Sequence, residues 1–233
     1  MKKIIAILLC IPALFALGAC GRLTEAKSES VKPEVYFTED KSGTYTDSVG
    51  NVYNYSYKIP AFSGRSEDAE RINKYFDDAL RPIVEDELAA MEDELSLTTG
   101  VKCEVFESGD ITSVLVSVYY PNDYIQYYTA SMNTRENREM NNADIAAAYG
   151  IDEVDLSDKL REEAKAAVEE YYADFGDVSG DGFADVTGTR DETLAAIGGD
   201  DWEPTLFING EGKVCMINEV MSPVGRYNQI FVL

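Results

Sequence analysis

The sequence predicts an α+β fold built mainly on antiparallel sheet, with a long N-terminal helix and two or three further helices. Three observations predict it. With 45% of its residues hydrophobic and 27% charged, the chain has the composition of a globular protein and not of a disordered one. Short apolar segments are separated by Gly, Asn, Asp and Pro, which reads as strands joined by tight turns. Helical stripes fall between groups of strands rather than after every strand, so the regular βαβ alternation of a parallel sheet is missing.

The N-terminus comes first. Lys2 and Lys3 form a short positive region, Ile4 to Ala16 is apolar apart from Pro12, and Leu17-Gly18-Ala19-Cys20 follows. This order resembles the signal peptide of bacterial lipoproteins. The resemblance implies acylation of Cys20 through sulfur and cleavage that makes Cys20 the new N-terminus. An ordinary secretory signal or a membrane anchor is the alternative, but the apolar run falls short of the about 20 residues that a helical span needs. Residues 1–19 are therefore expected to be a lipoprotein signal peptide, residues 20–34 a lipidated tether, and residues 35–233 a single extracellular domain. The tether sequence GRLTEAKSESVKP is polar and without hydrophobic periodicity, as a flexible linker is. The membrane is then a partner through the lipid, at about 0.8 kcal/mol per buried CH₂, and the expected location is the outer face of the bacterial cell membrane.

Residues 44–59, TYTDSVGNVYNYSYKI, alternate around Val49-Gly50-Asn51 and predict a hairpin ending at Pro60, with Tyr53, Tyr55, Tyr57 and Ile59 on one face. From Ser66 to Leu95 the residues Ile72, Phe76, Leu80, Val84, Leu88, Met91 and Leu95 recur every three or four positions, which predicts the long helix. Ser66 caps it, and Pro82 is expected to kink or divide it. Its other face, with Asp77, Asp78, Glu85, Asp86, Glu92 and Asp93, reads as a solvated face rather than a cation site. VKCEVFES, ITSVLVSVYY and YIQYYTASM predict a three-strand meander turning at Gly109-Asp110 and Pro121-Asn122-Asp123. Asn142 to Tyr149 predicts a short helix closed by Gly150. A second helix is predicted from about Asp155 to Phe175 on the stripe Leu156, Leu160, Ala164, Ala167, Tyr171 and Phe175. Thr189-Arg190-Asp191-Glu192 reads as a capping box opening a third, which stops at Gly198-Gly199. PTLFIN, KVCMINEV and NQIFVL predict closing strands, the first two joined by a turn at Asn209-Gly210.

Composition excludes several functions. With 20 basic and 43 acidic residues the formal charge is -23, and cleavage before Cys20 removes two further lysines. Such a chain has no nucleic-acid partner, because phosphate binding needs clustered Lys and Arg. It has no histidine, which removes Ser-His-Asp and Cys-His catalysis and imidazole zinc sites. Cys103 and Cys215 remain after loss of Cys10 and acylation of Cys20. A disulfide is permitted outside the membrane; two buried thiols are the expected state, cysteine being a small hydrophobe.

The order of motifs in the domain resembles the extracellular domain of RsiV-type lysozyme-responsive anti-sigma factors, and the non-catalytic N-terminal region of PdaC-type peptidoglycan deacetylases. The motifs begin with Tyr57-Lys58-Ile59-Pro60, Gly64, Ile72-Asn73, the Ser113–Tyr128 hairpin and Asn141-Asn142. They continue with Trp202-Glu203-Pro204, Phe207-Ile208-Asn209, Gly212-Lys213, Glu219 and Pro223-Val224-Gly225. The resemblance spans about residues 45–233. That domain has no single agreed function. Neither the sigma-binding segment and membrane span of the one family nor the metal-binding catalytic domain of the other is expected here, since nothing in these residues matches them. It also carries Asn218 where the family has a tyrosine before the glutamate. What the resemblance implies is the extracellular module alone, on a lipid anchor.

Two functional readings follow. The first is a non-enzymatic binding module for a protein or cell-wall ligand. The resemblance makes lysozyme the concrete candidate, and the acidic charge would steer lysozyme or another basic protein towards it. Tyr119, Tyr120, Tyr124, Tyr127 and Tyr128 are the candidate anchors, since tyrosine joins apolar area to a polar tip; cross-strand packing is the plain alternative. Glu219 joins them through the resemblance. The second is a calcium-stabilised surface protein. Asp177, Ser179, Asp181 and Asp185 occupy positions 1, 3, 5 and 9 of an EF-hand-like loop, with Gly182 at position 6. Gly188 stands where the bidentate carboxylate belongs, and an Asp-Gly turn needing no metal is the alternative. Otherwise no cofactor is expected. No nucleophile elbow, phosphate loop or metal motif is present, so no enzymatic activity is expected either.

Overall fold

The structure, a computed structural model, describes residues 33–121, 124–150, 156–173, 186–222 and 225–233. Its strands β1 (Val35–Thr46) and β2 (Val52–Phe62) form a hairpin followed by helix α1 (Glu67–Glu92). Strands β3 (Gly100–Ser108), β4 (Ile111–Tyr119), β5 (Ile125–Asn133) and β6 (Arg138–Met140) make an antiparallel sheet in sequence order. Helices α2 (Asn142–Ala148), α3 (Leu156–Ala173) and α4 (Val186–Gly198) precede a second antiparallel sheet of β7 (Thr205–Ile208), β8 (Val214–Ser222) and β9 (Gly225–Val232). The fold is α+β with antiparallel sheets.

β4 organises the layers. Its sequence ITSVLVSVY is buried from Thr112 to Val118, so both of its faces are covered. Val114, Val116 and Val118 face α1 and the hairpin, joining Ile72, Phe76 and Leu80 of α1 and Tyr57, Ile59 and Phe62 of β2 in one core. Leu115 faces the other way and packs with Phe207 of β7 and Cys215 of β8. On the far side of the second sheet, Met216 and Val220 pack with Leu160, Ala164, Val168 and Tyr172 of α3 and Ile197 of α4. The order of layers is thus helix, sheet, sheet, helices, with hydrophobic contact at each junction.

Local chemistry explains where the elements depart from expectation. β2 runs past Pro60 to Phe62, and Pro60 pairs with Phe37 at a register shift between Phe37 and Glu39. A proline has no N–H to donate, and a bulge on the partner strand is where a sheet accommodates it. α1 is one continuous helix through Pro82, whose ring is exposed, rather than two pieces. Its inward face takes Glu87, and Leu95 lies beyond the helix and exposed. The cap of α2 is Asn141, whose side chain accepts from Asp144 N while Asp144 accepts from Asn141 N. The fully buried row of α3 is Leu160, Ala164, Val168 and Tyr172, with Ala167 and Tyr171 partly buried at its margin. α4 begins at Val186, so Thr189 to Glu192 lie inside it and do not cap it.

Candidate functional site

Asp47 anchors one wall of the first cleft. It follows β1, and its carboxylate accepts from Val49 N (3.1 Å), Asn51 N (2.8 Å), Asn51 Nδ2 (2.8 Å), Tyr53 OH (3.2 Å) and Ser96 Oγ (2.8 Å). Burial pushes this acid up, but the hydrogen bonds from Ser96, Asn51 and Val49 outweigh it and hold it well below the usual carboxylate range. The same bonds tie the hairpin turn to the chain after α1, helped by Ser48 N donating to Glu94 O.

Beside this turn the tyrosine row of β2 floors a cleft of 670 Å³. Tyr53, Tyr55 and Tyr57 line it, together with Leu97 to Val101 and, paired beside them, Tyr119, Tyr120 and Pro121. The Tyr55 and Tyr57 rings stack with centroids 5.5 Å apart. The Tyr57 hydroxyl lies 3.2 Å from Glu87 Oε2 and 3.3 Å from Thr99 O. Burial, and then the Glu87 charge, push the Tyr57 phenol far up. Glu87, itself buried, also accepts from Thr98 N and from Thr98 Oγ1 (2.7 Å). This carboxylate is a structural anchor with its lone pairs in use.

The five candidate tyrosines do not form one patch. Tyr119 and Tyr120 line the cleft, and the Tyr124 ring sits 5.6 Å from that of Tyr120. Tyr119 and Tyr124 are the exposed members. Tyr128 packs on the α1 core with its ring 6.3 Å from Tyr75; burial, then Tyr120 and Tyr75, push its phenol up to about 12. Tyr127 points to the opposite face of β5, where it packs with Leu115 and Phe207. Alternation along a strand dictates this split.

Tyr127 and Glu219 meet instead in a second groove of 540 Å³ beside β8, which also includes Trp202, Glu203 and Asn218. Glu219 is exposed and pairs with Arg226 at 3.0 Å. Sequence reasoning left out the groove residues Trp202 and Asn218 and the cleft tyrosines of β2 as binding residues. The available signals were the single tryptophan of the chain and the alternating tyrosine row.

Several asparagines singled out in the sequence motifs hold the backbone together. Asn73 Oδ1 accepts from Phe62 N and its Nδ2 donates to Phe62 O, at 2.7 and 2.9 Å. Asn142 does the same between Pro204 O and Leu206 N. Asn209 accepts from Glu211 N and Lys213 N, and Gly212 takes a positive φ in that turn. Cys103 of β3, against the α1 core, and Cys215 of β8, packed with Leu115 and Phe207, are free thiols; burial pushes Cys103 up to about 12 and raises Cys215. Cys20 and the loop carrying Asp177, Ser179, Asp181 and Asp185 lie outside the described residues. Among the described residues, no three Cys, Asp or Glu are grouped to hold a metal ion, and no helix is long and apolar enough to cross a membrane.

No protein-family model and no curated protein matches the chain. Among solved structures it is similar to the crystal structure of a member of the DUF3298 family from Bacteroides fragilis. That match has 10% sequence identity and a TM-score of 0.39, over 87% of this chain and 91% of the other.

Proposed function

We propose that this chain is a non-enzymatic binding module, held at the outer face of the bacterial cell membrane by lipid on Cys20, that takes a protein or cell-wall ligand. The observation that carries this reading is the open cleft lined by Tyr119, Tyr120 and the tyrosine row of β2, in a chain of net charge -23. Tyrosine is among the residues that dominate binding energy at protein interfaces. The charge favours a basic partner and speeds its encounter. The resemblance to the extracellular domain of lysozyme-responsive anti-sigma factors makes lysozyme the concrete candidate.

Charge alone attracts any basic protein, and that attraction is screened beyond about 10 Å at 0.1 M salt. A specific interface is therefore recognised by salt resistance. Lysozyme titrated calorimetrically into residues 21–233 is expected to bind at physiological salt. Replacing Tyr119 and Tyr124 together by alanine is expected to weaken binding by about tenfold, as loss of a hot-spot aromatic does, with the melting temperature unchanged. Binding that vanishes at physiological salt removes lysozyme as the ligand. Binding that survives in the double variant removes this cleft.

A further inference from the structure

The second groove holds an unanswered donor. Asn218, on β8, is 5% exposed and lines the groove. Its Oδ1 accepts from Trp202 Nε1 at 2.9 Å. An indole N–H only donates, so this bond fixes which end of the amide is oxygen. The other end, Nδ2, is buried without a hydrogen-bond partner among the described residues. A buried unpaired donor is costly, at roughly 1–3 kcal/mol, and asks for an acceptor oxygen.

The rest of the groove asks for donors. Asp200, Asp201 and Glu203 line it, are exposed, and carry no ion pair among the described residues. Arg161, over the Trp202 ring at 5.2 Å, donates to Gly199 O at 2.8 Å and also to Ile197 O. It buttresses the indole and does not neutralise those acids. Tyr127 adds a half-buried ring.

We propose that this groove is a binding site for a neutral saccharide, whose hydroxyls accept from the Asn218 amide and donate to the carboxylates of Asp200, Asp201 and Glu203, beside the Trp202 and Tyr127 rings. A hydroxyl both donates and accepts, so one ligand class answers both halves of the site. A simple cation answers the carboxylates but offers nothing to Asn218, and a lysine or arginine side chain only donates, so a basic peptide reaches Asn218 through a backbone carbonyl alone and is the competing ligand to test. A phosphate or carboxylate answers Asn218 but meets three negative charges. The groove is separate from the tyrosine cleft, so its failure leaves the reading above standing.

Trp202 is the sole tryptophan, so intrinsic fluorescence of the full chain reports on this groove directly. Maltotriose, cellotriose and chitotriose are titrated in turn, with a lysine-glycine peptide as the competing class and calorimetry in parallel. The expected result is a saturable emission change and heat with at least one trisaccharide. Asn218→Ala and Glu203→Gln should each weaken binding about tenfold or more, and Tyr36→Ala, at an exposed ring outside both grooves, should leave it unchanged. If Asn218→Ala fails to fold, Glu203→Gln at the surface decides. No response to any trisaccharide, a response to the peptide alone, or a saccharide response undiminished in the variants overturns the proposal.

Discussion

Asp47 places one carboxylate where five donors converge, and its folded state follows from that arrangement. Because hydrogen bonding holds this acid below its unfolded value of about 3.9, its contribution to stability is fully present above about pH 4. That contribution is lost as pH falls through the folded value. Asp47→Ala is expected to lower the melting temperature at pH 7, with the gap to the parent narrowing as the pH drops below about 4. Comparing the two proteins cancels the titration of the other carboxylates. A gap that stays constant from neutral pH to pH 2 would show that the Asp47 charge adds nothing to the turn. The asparagines illustrate the limit of reading residues one at a time. Asn73 and Asn142 each complete a backbone pair far away in sequence, and no local pattern announces such a partner. Tyr127 and Tyr128 illustrate the opposite case. Their separation onto two faces was legible from strand periodicity, whereas grouping them by sequence proximity placed them in one patch.

At the scale of elements, patterning was enough wherever a stripe or an alternation was strong, as for β2, α1, the β3–β5 meander and the final sheet, whereas β1 starts at Val35 and only its last residues, from Thr44, were read as part of the hairpin. Three-residue β6 was illegible, since Arg138–Met140 forms a strand only because the edge of β5 offers it bonds at Ser131 to Asn133. The start of α4 was misplaced because Thr189 to Glu192 satisfy a capping pattern while lying within the helix, where Thr193 Oγ1 bonds Thr189 O. Pro82 carries a further consequence. A proline in a helix interior costs about 3 kcal/mol relative to alanine, and the stiffer unfolded chain returns up to about 1 kcal/mol. The ring is exposed and α1 is unbroken around it, so nothing in the packing requires it. Pro82→Ala is expected to stabilise the protein by roughly 2 kcal/mol, read from chemical denaturation. A loss of stability would show that α1 needs a bend there to follow the sheet.

At the scale of the molecule, neither groove was legible, because each is assembled from layers whose stacking no sequence pattern states. The cleft joins Tyr53 to Tyr120, and the groove joins Tyr127 to Asn228. The overall charge, by contrast, is plain in the sequence and sets two opposing responses to salt. Surface ion pairs such as Arg71 with Asp68 and Arg226 with Glu219 are worth about 0–1 kcal/mol each and weaken with salt. Against them stands the mutual repulsion of 43 acidic residues facing only 20 basic ones, which opposes the compact state. The excess of like charge is large and the pairs are individually weak, so repulsion wins. Raising ionic strength from about 0.01 M to about 0.15 M shortens the screening length from about 30 Å to about 8 Å. The melting temperature is therefore expected to rise over that range. Over the same range, association with an arbitrary basic protein is expected to fall, because the screening that relieves self-repulsion also removes attraction without a fitted interface. A melting temperature that falls with salt would mean that the local pairs outweigh the net charge, and acidity would then be part of how the domain holds together rather than how it meets a partner.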